Sequence, residues 1–256
     1  MPRKSTAPYL GPPSWLDAAA ELSLTRSPTF TKPEFIRACM TALLAHDLSP
    51  AQAADVAANA MGEAAWGRAC WWGNAGGWKI TKAYADAFKA MHGRAPSWWK
   101  ARGNVDSADS AWCFYRAFDS VEAFLAEWLR HFVPKPTVAA PPYPGYRTAG
   151  QRFWQGDARW FGDLILVGYK GAPSKLRMRA LRAVGADDVR HPSVAAHRSI
   201  AREVLEVWAQ LLMSLDPDGA WGPKSREACK RWQAARGIPA TGDLDAATVA
   251  TLTGPT

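Results

Sequence analysis

The segment Ser49 to Gly67, SPAQAADVAANAMGEAAWG, narrows the possible folds of this chain more than any other. Ser49-Pro50 opens a helix, with proline at the first helical position, where its missing N–H costs no hydrogen bond. Almost every residue that follows is small and apolar, so the helix has no polar face to offer water and must be buried on most sides. It ends at Glu63, the only acid between Val56 and Lys82, and Glu63 stands close to Trp66. Desolvation there would disfavour the charged carboxylate and raise its pKa, which suits a proton donor working near neutral pH. The plain alternative is a solvent-exposed glutamate at a helix end.

The rest of the chain reads as mainly helical. Residues 1–30 form a proline-rich arm with one short amphipathic piece, Ser14 to Leu24, which Ser14 could cap. From Lys32, residues Phe35, Ile36, Cys39, Met40, Leu43 and Leu44 recur at helical spacing. After the small-residue helix, ACWWGNAGGW (residues 69–78) is too rich in Gly and Trp for a regular element and reads as a cleft-lining loop. A charged helix, Thr81 to His92, comes next, and the alternation around the Gly-Asn turn in SWWKARGNVDSADSAWCFYRAF predicts a β-hairpin. Ser120 caps a helix over Val121 to Phe132, and beyond the prolines of Pro134 to Pro144 lies a last helical region, Asp157 to Tyr169. A basic helix, Lys175 to Arg182, precedes GADDVRHPS, a linker by its turn residues and charge. Helices over Val194 to Met213, Lys224 to Ala235 and Ala246 to Leu252 then form a second unit. The expected organisation is an arm at 1–30, a first domain at 31–190 and a second at 191–256, each domain with its own core.

Composition sets limits on partners. The chain of 256 residues carries a formal charge of +8, all of it before residue 197, because residues 197–256 hold seven Lys/Arg and seven Asp/Glu. A positive field favours anionic polymers without choosing among them. Fourteen tryptophans supply flat apolar faces that stack on sugars or on bases. No nucleic-acid-binding motif accompanies them, so a nucleic-acid partner is not expected. Cys39, Cys70, Cys113 and Cys229 show neither C-x-x-C pairing nor a histidine at zinc-ligand spacing. Buried thiols are expected, with no metal, cofactor or essential disulfide. The first residues, MPRKSTAPYLGPPSWLDAAAEL, lack an apolar signal-peptide core, and no run approaches the length of a membrane span. The expectation is a monomer made without a signal peptide and kept off membranes.

The run VWAQLLMSLDPDGAWGPKSREACKRWQAARGIPATGDLDAATVATL resembles the peptidoglycan-binding module of cell-wall hydrolases. Leu211-Leu212, Asp218-Gly219, Gly222, Trp232-Gln233, Gly237, Pro239, Gly242, Asp245 and Thr248 carry the likeness. The residues agree with it physically: Asp216, Asp218 and Gly219 make an Asx-type turn and Asp245 caps the third helix. DPDG is no calcium loop, since it lacks the closing bidentate glutamate. Trp221 and Trp232 read as core residues. The resemblance implies a small three-helix domain that binds bacterial peptidoglycan and does no catalysis.

Residues 33 to about 169 resemble the glucosaminidase-type glycoside hydrolases of family 73, which have a lysozyme-like helical fold. The family's catalytic glutamate and its Ser-Gly-Trp-Gly are matched by Glu63-Ala64-Ala65-Trp66-Gly67. Its Asn-Leu-Phe-Gly-Ile-Lys block is echoed by Asn74 to Lys79, and its Phe-Arg-x-Tyr-x-Ser block by Tyr115 to Ser120. Its late Tyr-Ala-Thr-Asp-Pro-x-Tyr block is replaced by Trp154 to Trp160, so Trp154 takes the place of a cleft tyrosine and removes a hydroxyl. The resemblance implies Glu63 as general acid. The family's second acid, often a glutamate, lies on the hairpin, where this chain offers only Asp106 and Asp109. Either could activate water, and either could be a plain turn residue. Trp66, Trp72, Asn74, Trp78, Tyr115 and Trp154 are the candidate substrate contacts, with core packing as the alternative for Trp72, Asn74 and Trp78. Together the two resemblances lead to an endolysin-like enzyme that cuts the β-1,4 bonds of peptidoglycan in the periplasm or outside the cell, after release by a holin or a secretion system. A wall-binding or phage-tail structural protein with a decayed hydrolase domain is the competing expectation.

Overall fold

The computed structural model describes residues 11–23, 30–64, 70, 73–102, 112–138, 146–166 and 192–253. Among them the fold is mainly helical, with one two-stranded antiparallel sheet. Helix α1, Lys32–Leu44, starts at a capping box in which Thr31 and Glu34 satisfy each other's backbone N–H groups, and it buries Phe35, Ile36, Cys39, Met40 and Leu43. Helix α2, Pro50–Glu63, has the same device in Ser49 and Gln52 and buries nine of its residues, so the small-residue helix is the enclosed centre that its composition required. Gln52 also donates to the Phe153 carbonyl at 2.7 Å, tying the start of α2 to a distant segment.

Helix α3, Lys82–His92, is capped by Thr81 and stopped by Gly93 in the left-handed region. Strands β1, Trp98–Arg102, and β2, Trp112–Arg116, pair with Trp98 opposite Arg116 and Arg102 opposite Trp112. Helix α4, Val121–Phe132, is capped by Ser120 as expected. Between the prolines and the last expected helical region the structure has a further helix, α5, Arg147–Trp154. Its sequence hides it because the segment is polar and contains Gly150. That glycine is needed, since a Cβ there would come within 2.6 Å of the Pro134 carbonyl oxygen. Helix α6, Trp160–Leu166, packs on α5.

The N-terminal piece departs from the amphipathic helix expected at Ser14 to Leu24. Among the described residues of this piece only a single 3-10 turn forms, Ala18–Ala20, because Asp17 caps it early by accepting from the Ala19 N–H. The chain then extends, pairs Glu21 beside Trp98, and donates from the Leu22 N–H to the Trp98 carbonyl at 2.7 Å. Leu16 is buried with Ile80, Ala85 and Trp98 in a small satellite core beside the hairpin.

Helix α7, Pro192–Leu212, begins the C-terminal unit, followed by α8, Pro223–Ala235, and α9, Ala246–Ala250. Asp218 accepts from the Ala220 N–H at 2.8 Å and Asp245 from the Thr248 N–H at 2.8 Å, the turn and cap anticipated from sequence. Gln233 is fully buried and works as a cross-tie: its amide donates to Thr241, Thr248 and the Asp243 carbonyl and accepts from the Gly242 N–H. Trp221 and Trp232 are half-buried against the core, and the Trp232 N–H donates to Thr251.

Separate cores were expected for the two units, but apart from the small satellite beside the hairpin the described residues of both share one. A continuous apolar cluster runs from Phe35, Met61 and Trp128 through Phe153 and Leu164 to Val204, Trp208 and Leu252. The reason lies in α7, which packs on α1 and α2 as well as serving its own unit. Lys32 of α1 pairs with Glu203 of α7. The expected boundary near residue 190 and the basic helix Lys175 to Arg182 fall outside the described residues. No described helix is long and apolar enough to cross a membrane.

Candidate active site

Glu63 is the last residue of α2 and is exposed, as is Gly62, while Met61 and Ala64 on either side of the pair are buried. The sequence suggested enclosure of Glu63 by apolar neighbours. The described neighbours do not enclose it, because the inward stripe of α2 passes through Ala57, Ala60, Met61 and Ala64 and leaves Glu63 on the outward side. Trp66, Trp72, Asp106 and Asp109 lie outside the described residues, so the hairpin turn and the loop after Glu63 have no described geometry.

Asn74 and Trp78 are brought together. Asn74 is almost fully buried, and its side-chain amide donates to the carbonyls of Trp78 at 2.9 Å and Arg116 at 3.0 Å, while its oxygen accepts from the Trp78 N–H at 2.9 Å. Asn74 is therefore the clasp of the Gly73–Trp78 loop, holding it to β2, and its polar atoms point into protein. Gly73 has a positive φ and lies so close to Phe118 and Ser120 that a Cβ would meet their carbonyl oxygens within 3 Å. Beyond Trp78 the chain runs on as a strand-like partner to β2, with Ile80 N–H donating to Phe114 and Arg116 N–H donating to Trp78.

This stitching presents Trp78 half-buried among aromatic edges: Phe124 at 5.4 Å, His131 at 5.3 Å and Phe132 at 5.5 Å between ring centroids, all near perpendicular. Beside it opens a cavity of about 460 Å³ lined by Gly77, Trp78, Lys79, Arg116, His131, Phe132 and Tyr146. Arg116 is held there by Glu127 at 2.8 Å, by the Lys79 carbonyl at 3.2 Å and by stacking over Tyr84 at 3.8 Å. Burial pushes the His131 imidazole below its usual value, only partly offset by its hydrogen bond to the Glu127 carbonyl.

Tyr115 and Trp154 go elsewhere. Tyr115 stacks on its cross-strand neighbour Trp99 at 4.3 Å, a sheet-stabilising pair. Trp154 donates to the Val133 carbonyl at 2.8 Å and lines a different, smaller cavity of about 230 Å³ with His46, Val133, Pro134 and Lys135. Arg116, Lys79, His131, Phe132 and Tyr146 were not singled out in the sequence. Two of them carried a signal, since Lys79 ends one hydrolase-like block and Arg116 sits inside another.

A second polar centre joins the two units. Asp55 of α2 accepts from the indole N–H of Trp160 at 3.3 Å and stands 3.7 Å from Nε2 of His197, whose ring stacks on Phe161 at 3.7 Å. Burial pushes the Asp55 carboxyl up to about 6, against the lowering effects of the Trp160 hydrogen bond and the Arg198 charge. All four cysteines are buried, and burial pushes the Cys70 thiol up to about 12 and Cys229 up to about 11. Among the described residues no cluster of three His, Cys, Asp or Glu side chains is placed to hold a metal ion.

No curated protein and no solved structure matches the chain. Residues 201–252 match the family model described as a putative peptidoglycan binding domain, a match that does not extend into the hydrolase-like residues 33–169. With its helices, Asx turn and Asp245 cap in place, the C-terminal unit is a peptidoglycan-binding domain that associates the chain with the cell wall.

Proposed function

We propose that the protein cuts glycan strands of peptidoglycan, with Glu63 giving a proton to the leaving glycosidic oxygen. The observation that carries this reading is that Glu63 stands exposed at the end of an otherwise enclosed helix, on a body to which a peptidoglycan-binding domain is packed directly. An exposed acid can gain the desolvation it needs when a sugar covers it, as apo sites often tighten only around substrate. Trp78 supplies an apolar ring for the sugar faces, and Asn74 positions that ring without touching substrate. The second group is Asp106 or Asp109 acting on water, or the substrate's own 2-acetamido oxygen.

The exposure of Glu63 also favours a second reading, a wall-binding protein in which this residue is an ordinary helix-end glutamate. Product analysis separates the two. Purified peptidoglycan incubated with the full chain should release fragments with new reducing ends, identified by mass spectrometry. Their absence at high enzyme concentration would leave the wall-binding reading alone. The sugar found at the new end, or an anhydro ring in its place, tells glucosaminidase from muramidase and from lytic transglycosylation.

A further inference from the structure

We infer that the cavity beside Trp154 is a binding site for a small-molecule carboxylate with an apolar body, one hydrocarbon ring or branched chain bearing its acid group on a short arm, and that Lys135 reads the charge. This cavity shares no lining residue with the one beside Trp78, and the inference does not depend on the glycan-strand reading.

The wall is carbon almost throughout. Ala126 and Leu129 from the last turns of α4, Val133, Pro134 and Val138 from the segment after it, and Trp154 of α5 supply it. Two contacts fix these pieces to one another. The Trp154 indole N–H donates to the Val133 carbonyl at 2.8 Å, and Gly150 of α5 lies so close to Pro134 that a Cβ would meet its carbonyl oxygen at 2.6 Å. The single donor of the indole is thereby spent on backbone, and what Trp154 offers a ligand is ring surface. An apolar cavity of ~150 Å³ is enough for a benzene ring, so about 230 Å³ leaves room for a ring and a short arm.

The charged part of the lining is of one sign. Arg130 and Lys135 are its two cations, and none of the lining residues is an acid. Arg130 stands 3.9 Å from Glu127, which Arg116 engages more closely at 2.8 Å. Lys135 is exposed, its Nζ lies 5.1 Å from the centre of the Trp154 ring, and among the described residues no carboxylate pairs with it. An uncompensated ammonium thus stands against the ring that forms one wall of the cavity. A neutral hydrocarbon uses the wall alone. A hydrocarbon with a carboxylate uses the wall and the ammonium, and a bare anion has only the ammonium, which water screens.

The test is a titration of the full chain, followed by the NMR signal of the Trp154 indole N–H. That signal is the one among fourteen tryptophan indole signals that Trp154→Phe removes. The probes, at pH 7 and low salt, are 3-phenylpropionate, its neutral primary amide, and acetate. We expect a saturable shift with 3-phenylpropionate, binding of the amide roughly tenfold weaker, and no shift with acetate over the same range. Lys135→Gln, a change at an exposed side chain, should lower the acid to the affinity of the amide and leave the melting temperature unchanged. Ala126→Phe, which fills the cavity from α4, should abolish both. Equal affinity for acid and amide overturns the inference, because Arg130 and Lys135 would then serve only the carboxyl end of α4. The absence of any saturable shift overturns it too, as does a preference for the acid that survives Lys135→Gln, or binding that survives in a folded Ala126→Phe protein. Should Ala126→Phe fail to fold, the comparison of acid with amide on wild type and Lys135→Gln decides alone.

Discussion

By sequence Asn74 is a candidate sugar contact, and in the structure it is the clasp of the Gly73–Trp78 loop. The residue type and position were legible, but its role was not, because an Asn in a Gly-rich loop can turn its amide to ligand or backbone with equal ease. Glu63 shows the same limit in reverse. A helix whose sequence is uniformly small and apolar carries no periodic signal of which side faces inward, so burial of its terminal acid was inferred from composition and the fold placed it outward. Removal of the Asn74 clasp should be costly. Asn74→Ala leaves the Trp78 and Arg116 carbonyls and the Trp78 N–H without this partner, and we expect a loss of about 2–4 kcal/mol in denaturant unfolding. A loss under ~0.5 kcal/mol would mean that the loop is held by other contacts.

At the level of elements, α1, α2, α3, α4 and the three C-terminal helices were readable because caps and apolar spacing agreed, as Thr31, Ser49, Ser120 and Asp245 illustrate. Helix α5 was not, since its glycine is there for close packing on Pro134 and its polar residues mask the buried Phe153. The junction of α2, α6 and α7 was also invisible, because Asp55, Trp160 and His197 meet only in the fold. It has a pH consequence. The folded-state pKa of Asp55 is raised from 3.8 to about 6, so the native state binds this proton more tightly than the unfolded chain. The stabilisation is fully present below pH ~4 and is lost as pH rises through about 6. Asp55→Asn keeps an oxygen for the Trp160 N–H and cannot ionise. Its melting temperature, relative to wild type, should therefore climb between pH 4 and pH 7. A difference that is flat or falls over that range would contradict the buried, protonated state.

Over the whole molecule, the peptidoglycan-binding domain shares its first helix with the body that carries Glu63. The turn residues and charges before α7 read as a linker, and a linker implies independent units, but α7 has apolar surface for α1 and α2 as well as for its own partners. The peptidoglycan-binding domain and the Glu63 surface are thereby fixed on one body. Removing residues 192–256 should uncover the α2 face, lower the melting temperature of the remainder by several degrees, and raise amide exchange along α2. A truncated chain that melts like the full one would show that the α7 contact contributes little.

The most direct test of the central claim is turbidity clearance of purified peptidoglycan by wild-type protein and by Glu63→Gln, with thermal melting and sacculus sedimentation of both. The account predicts clearance by wild type and a fall of at least ~10²-fold in the variant, with folding and sedimentation unchanged. Clearance at the wild-type rate by a folded Glu63→Gln protein would contradict it, as would a wild-type protein that sediments with sacculi and never clears them.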